Sequence, residues 1–251
     1  MNSWWSRLLA AAAFLLIPAA ASAQVAEADA AWNQGRYGAA REAYLRALTQ
    51  DPASVRASYR LGVLAAWDGN LDSALTYLAQ ARVADPDDPD VRVMQAQVLS
   101  WAGRYPEAIA KWDSLIALYP DRLDGLVGKA RTLSWDGEEQ AADSLYRVVL
   151  ERDPMNGDAL VGTAQLAYWD GRTGEAIAGY ERALSYRPND ASARSGLAQV
   201  YLAAGRQLDA QAEADSAVAI APANREAVRV QTSVGRTVQP AADLTLGWSD
   251  D

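Results

Sequence analysis

The sequence predicts an all-α fold: a right-handed α-solenoid of about six stacked helical hairpins, closed by a capping helix and followed by a short strand-like tail. Three observations predict it. Pro52, Pro86, Pro120, Pro154, Pro188 and Pro222 recur at a step of 34 residues. Gly35, Gly69, Gly103, Gly137, Gly171 and Gly205 keep the same step without an insertion. Two small columns run in register with them: Ala40, Ala74, Ala108, Ala142, Ala176 and Ala210, and Ala28, Gly62, Ala96, Ala130, Ala164 and Ala198. A fixed period of about 20–50 residues marks a repeat architecture, in which one supersecondary unit is copied and each copy covers the apolar face of the next.

Residues 1–23 read as an export signal. Arg7 supplies the positive start, Leu8 to Ile17 is apolar throughout, Pro18 breaks the run, and Ala21-Ser22-Ala23 is a small-x-small cleavage site ahead of Gln24. The apolar run falls short of the roughly 20 residues needed to span a bilayer. The expected location is therefore the periplasm.

Residues 24–224 hold the six units, 24–54, 55–88, 89–122, 123–156, 157–190 and 191–224. Between a proline and the next glycine lie 16 residues, and 16 more lie before the following proline. Each span holds a helix of about three turns and its entry. Glycine tolerates positive φ at the turn, and proline cannot continue the second helix. The small columns are expected where the two helices of a hairpin cross. Tyr44, Leu78, Trp112, Tyr146 and Tyr180, one turn after the alanine column, are expected to fill the gap between them. Ala214 stands at that position in the last unit, which predicts looser packing there.

Residues 225–235 read as a lone capping helix. Residues 236–251 read as a strand-like tail, with Leu244, Leu246 and Trp248 alternating with Asp243, Thr245, Gly247 and Ser249. Such a tail is a polar end, an edge strand, or the start of an outer-membrane barrel, whose strands alternate in this way.

Composition excludes several functions. The 23 Lys and Arg against 32 Asp and Glu give a net charge of −9 without any basic run, which argues against nucleic acid as a partner. Cys and His are both absent, removing thiol nucleophiles, the usual zinc ligands and the commonest general base. No cofactor, no metal and no catalytic residue is expected.

The column with the most functional content is Trp67, Trp101, Trp135 and Trp169, two residues before each turn glycine. Steps of 4, 7 and 11 back along the helix stay on one side of it. From Trp101 they reach Gln97, Met94 and Asp90; from Trp135, Arg131, Gly128 and Asp124; from Trp169, Gln165, Gly162 and Asp158. Indole beside amide, guanidinium and carboxylate suits a polar ligand with an apolar face, such as a sugar. Mid-helix glycines at 128, 162 and 196 cost about 1 kcal/mol each relative to alanine and fit a place where something approaches the backbone. The alternative is that each indole packs on the neighbouring unit and the glycines make room for it. Asp68, Asp136 and Asp170 read as turn residues rather than as a glycosidase pair, which would sit at one place instead of recurring.

These columns, Gly69, Gly103, Gly137 and Gly171 with Ala74, Ala108, Ala142 and Ala176 and with Pro86, Pro120, Pro154 and Pro188, resemble the tetratricopeptide repeat family over about 24–224. The resemblance implies first helices that line a groove where partners bind. The family's early Trp and Leu on the first helix are mostly replaced here. Leu99-Ser100-Trp101-Ala102-Gly103-Arg104 and Leu133-Ser134-Trp135-Asp136-Gly137, with an end in Ser249-Asp250-Asp251, also resemble the YaiO-type outer-membrane proteins and, more distantly, exopolysaccharide secretion porins. That resemblance implies an array that guides polysaccharide, or docks protein partners of an envelope complex, with an outer-membrane link only if a barrel follows this chain. A free-standing envelope adaptor and a carbohydrate-active enzyme are the alternatives.

Overall fold

The computed structural model describes residues 22–238 except Ala223, and every described element is helical. In chain order these are α1 (22–33), α2 (Tyr37–Gln50), α3 (Val55–Trp67), α4 (Leu71–Ala84), α5 (Pro89–Trp101), α6 (Tyr105–Leu118) and α7 (Leu123–Trp135). There follow α8 (Glu139–Arg152), α9 (Gly157–Trp169), α10 (Thr173–Tyr186), α11 (Ala191–Ala203), α12 (Gln207–Ile220) and α13 (Arg225–Val238). The fold is the all-α solenoid of helical hairpins that the period predicts. Two compact units divide it, one running to Thr132 and the other starting at Leu133. Ser22 and Ala23 open α1, and residues 1–21 of the segment expected to be an export signal lie outside the described residues. Residues 236–238 continue α13 as helix, which corrects the tail boundary; from 239 on, the tail lies outside the described residues.

The hairpin turns have one chemistry. All six turn glycines take φ between +70° and +88°. At the second turn the Gly69 N–H donates to Ala66 C=O at 3.0 Å and the Asn70 N–H to Ala65 C=O at 2.9 Å. That pair of bonds satisfies two carbonyls at the end of α3 and reverses the chain. A Cβ added at Gly103 would meet no atom within 4 Å, so its substitution isolates the backbone term. Gly103→Ala is expected to lose about 1–2 kcal/mol, the cost of an L-residue in the left-handed region, read from the midpoint of urea unfolding.

The other end of each first helix is set by a column that the sequence reading overlooked. Two residues after the prolines come Ser54, Asp88, Asn156, Asp190 and Asn224. Each accepts backbone N–H bonds from the first turn that follows: Ser54 from Ala57, Asp88 from Asp90 and Val91, Asn156 from Ala159, Asp190 from Ser192 and Ala193, and Asn224 from Glu226 and Ala227. These are N-caps, each worth about 1 kcal/mol. Arg122 occupies the same position before α7 and has no acceptor to offer. Its guanidinium instead pairs with Asp90 at 2.9 Å and Asp124 at 2.6 Å.

Packing corrects the expectation about the bulky second-helix residues. Within the hairpin α3–α4, Gly62 lies against Leu78, whose Cγ would be 2.8 Å from an added Cβ. The aromatics, however, reach forward onto the next hairpin. Trp112 of α6 covers Gly128 of α7, Tyr146 of α8 covers Gly162 of α9, and Tyr180 of α10 covers Gly196 of α11. An added Cβ would stand 2.5, 2.2 and 2.5 Å from those rings respectively. Where the second-helix residue is smaller, the facing residue is larger: Met94 packs on the cluster holding Leu78, and Val230 shares a buried cluster with Ala214. Ala214 is fully buried, with Val234 beside it in that cluster, so the last hairpin is not loosely packed.

Buried hydroxyls complete these contacts. The Tyr44 hydroxyl donates to Asp29 at 2.5 Å and that of Tyr201 to Glu181 at 2.8 Å. Burial pushes the hydroxyl pKa of Tyr44, Tyr180 and Tyr201 up, that of Tyr201 to about 12, with the bond to Glu181 as a further cause. Below about pH 10 these groups are protonated in folded and unfolded chains alike. Above it the unfolded chain sheds protons that the folded chain retains, so stability falls as pH rises through the folded values. Melting temperatures are expected to hold level up to about pH 9 and to drop beyond about pH 10, with a shallower drop in Tyr201→Phe.

Candidate functional site

Each tryptophan of the column is the last residue of its helix, closing α3, α5, α7 and α9 immediately before the turn. At that place the helix meets its turn, so the ring has one fewer turn of its own helix beside it. Trp67, Trp101 and Trp169 are 50%, 43% and 42% exposed, and Trp135 is half-buried.

In the first unit the packing of one such ring is defined by its aromatic neighbours. Trp67 stacks on Trp32 of α1, with centroids 5.2 Å apart and planes inclined by 30°. Tyr37 meets both indoles edge-on, at 5.3 Å from Trp32 and 5.2 Å from Trp67. The Arg60 guanidinium lies 4.1 Å from the Trp32 ring centre, a cation–π contact. Trp67 thus spends one face on its neighbours, and half of its surface remains open to solvent. The two readings of the column, packed and accessible, hold together at this residue. Beside it, Asp68 pairs with Arg41 of α2.

The remaining residues of the predicted face are placed unequally. Gln97 is buried and accepts a hydrogen bond from the Arg131 guanidinium one repeat later. Arg131 and Gln165 are half-buried. Asp90, Asp124 and Asp158 stand exposed in the first turns of α5, α7 and α9, where a carboxylate also suits the helix dipole. Asp90 and Asp124 share Arg122, and Asp158 pairs with Arg187 at 2.9 Å. The middle of the face is closed by the protein itself. What approaches the backbone at Gly128, Gly162 and Gly196 is Trp112, Tyr146 and Tyr180, and this corrects the expectation of a ligand there. The face therefore divides into an ion-paired acidic end, a packed middle and a tryptophan end with open ring surface.

The chemistry available at the tryptophan end is stacking and hydrogen bonding. Asp170 is paired with Arg172 at 2.7 Å, in keeping with a turn role. Among the described residues no group of three or more His, Cys, Asp or Glu could hold a metal ion, and no helix is long and apolar enough to cross a membrane. Sequence reasoning missed one feature of this edge. At the repeat position of the tryptophans, α11 ends in Ala203, and Ala203 lines a cleft. The signal was in the sequence, as the break in the column.

Three models of the tetratricopeptide repeat match the chain, at residues 25–89, 90–122 and 167–233. No curated protein matches significantly. Among solved structures the chain is similar to a thermophilic tetratricopeptide repeat protein of Thermus thermophilus, with 22% identity and a TM-score of 0.65 over 74% of this chain and 99% of that one. It is similar to PilW, a widely conserved type IV pilus biogenesis factor, with 19% identity and a TM-score of 0.64 over 84% and 98% of the two chains. A tetratricopeptide repeat protein from Parabacteroides merdae gives 17% identity and a TM-score of 0.62 over 87% and 86%.

Proposed function

The chain belongs to the tetratricopeptide repeat family, a family of scaffolds for protein–protein interaction, and from that premise we propose that it serves as a periplasmic scaffold whose tryptophan edge docks polysaccharide. The observation that carries this reading is the half-open ring surface of Trp67, Trp101 and Trp169 at one recurring position. A sugar ring offers an apolar C–H face to an indole and hydroxyls to its flanks, and platforms repeated on successive hairpins, as Trp67 and Trp101 are within one compact unit, suit a polymer better than a monosaccharide. The export signal at 1–23 supports the periplasmic location, and the resemblance to exopolysaccharide-related outer-membrane proteins supports the ligand class.

Titration of intrinsic tryptophan fluorescence with soluble oligosaccharides tests it. Saturable quenching is expected, weakened about tenfold in Trp67→Ala and Trp101→Ala, at about 1.4 kcal/mol per tenfold. No response to any glycan, with a protein partner recovered by pull-down, would sink the polysaccharide reading. That outcome would favour the second reading, an envelope adaptor for proteins alone, which the similarity to a pilus biogenesis factor supports.

A further inference from the structure

We propose that the cleft at Ala203, in the second unit, receives an aromatic side chain of a partner peptide that carries a carboxylate on the adjacent residue. This goes beyond the polysaccharide reading, since it concerns a different place and a different ligand, and either can fail without the other.

The tryptophan column breaks at α11. Helices α3, α5, α7 and α9 end in tryptophan, and α11, at the same repeat position, ends in alanine. Replacing an indole by a methyl group leaves room, and the room is present: a cleft of about 410 Å³ bounded by α9, α11 and α13. That volume lies within the roughly 300–1,000 Å³ of clefts that hold small ligands. Leu202 and the Ala203 methyl form apolar wall; Tyr168, Gln199 and Ser233 bring a phenol, an amide and a hydroxyl. A ring with one polar edge fits such a lining better than an aliphatic chain does, because the amide and hydroxyl then keep partners.

The charge at the rim selects the neighbouring residue. Among the described residues Arg229 is the charged side chain of the lining, in a chain of net charge −9. Its ion pair with Glu226 is long, at 3.6 Å, and both groups are well exposed, so the guanidinium is available to a carboxylate. Guanidinium over an aromatic ring is already the habit of this protein. Arg206 lies 4.1 Å from the ring centre of Tyr201 in the same unit, as Arg60 does from Trp32 in the first. One arginine can thus cover an inserted ring and pair with the acid beside it.

The test uses the full chain, ¹⁵N-labelled and titrated with N-acetyl-Trp-Asp-amide. Shifts are expected to saturate and to gather on the backbone amides of Tyr168, Gln199, Ala203 and Ser233. N-acetyl-Leu-Asp-amide and N-acetyl-Trp-Asn-amide should each bind about tenfold more weakly, the first lacking the ring and the second the charge. Ala203→Trp should restore the column, keep the melting temperature and abolish the shifts, which separates a filled cleft from an unfolded protein. Arg229→Gln should bring the Asp and Asn dipeptides to equal affinity. Shifts scattered over the surface, or undiminished binding to Ala203→Trp, would overturn the proposal. So would displacement of the dipeptide from these amides by an oligosaccharide, which would make the cleft a glycan site. Tenfold tighter binding to Trp248→Ala would also overturn it, by giving the cleft to the chain's own C-terminal residues.

Discussion

Trp112→Ala is expected to cost about 3–5 kcal/mol, the largest loss from any single truncation in the first unit. The indole is 1% exposed and covers the bare backbone of Gly128, so on that side there is no side chain to move into the space it leaves. Its ring nitrogen also donates to Thr132 Oγ1 at 3.0 Å, inside a buried trio in which Ser100 Oγ lies 2.7 Å from the same oxygen. Urea unfolding of Trp112→Ala and Trp112→Phe separates the two contributions. Phenylalanine retains most of the volume and loses the N–H, while Ser100 can still donate to Thr132 Oγ1 and Thr132 to the Gly128 carbonyl. The Phe variant is therefore expected to lose only about 1–2 kcal/mol. Equal losses in the two variants would mean that the hydrogen bond, and not the covered glycine, holds this joint.

Gly162→Met should destabilise the second unit by about 1–3 kcal/mol even though it removes a glycine from a helix interior, a change worth up to about 1 kcal/mol in favour. The reason is steric: a Cβ at 162 would lie 2.2 Å from Cζ of Tyr146, so the ring must leave its place. The compensating change is already present in the first unit, where Met94 packs on the cluster holding Leu78 at the corresponding positions. Gly162→Met combined with Tyr146→Leu is accordingly expected to be more stable than either single variant, with a favourable coupling of about 1 kcal/mol or more in a double-mutant cycle. Simple additivity of the two changes would show that the rings and glycines pack independently.

The hairpins were legible because a helix, a reversal and a second helix each leave a residue type at a fixed offset. Gly69 and its equivalents take positive φ, and Pro86 and its equivalents follow a helix end, so both kinds of mark recur at a fixed offset whatever changes between them. The caps at Ser54, Asp88, Asn156 and Asp190 were equally regular, but three different residue types do the one job, and a search for identity passes over them. The direction of Trp112, Tyr146 and Tyr180 was not legible. Sequence spacing gives the side of the helix a residue lies on, whereas which neighbouring hairpin that side meets depends on how the units stack. The candidate site suffered from the same gap. Helical stepping groups Trp135, Arg131, Gly128 and Asp124 on one side, yet that side passes from a half-buried ring to buried backbone to an exposed ion pair within three turns.

The alternation of ring and glycine between consecutive hairpins also works as an address. A hairpin ending its contact surface in Tyr146 accepts any successor that begins with glycine at the facing position, and both Gly162 and Gly196 qualify. The fifth hairpin could therefore be lost or duplicated in the course of descent with its joints still matched. Loss of the third would bring Leu78 to the site built for Trp112 and leave a gap over Gly128. Variation in array length is thus steered toward the tyrosine–glycine repeats, while the hairpins around Trp112 keep their number and their order.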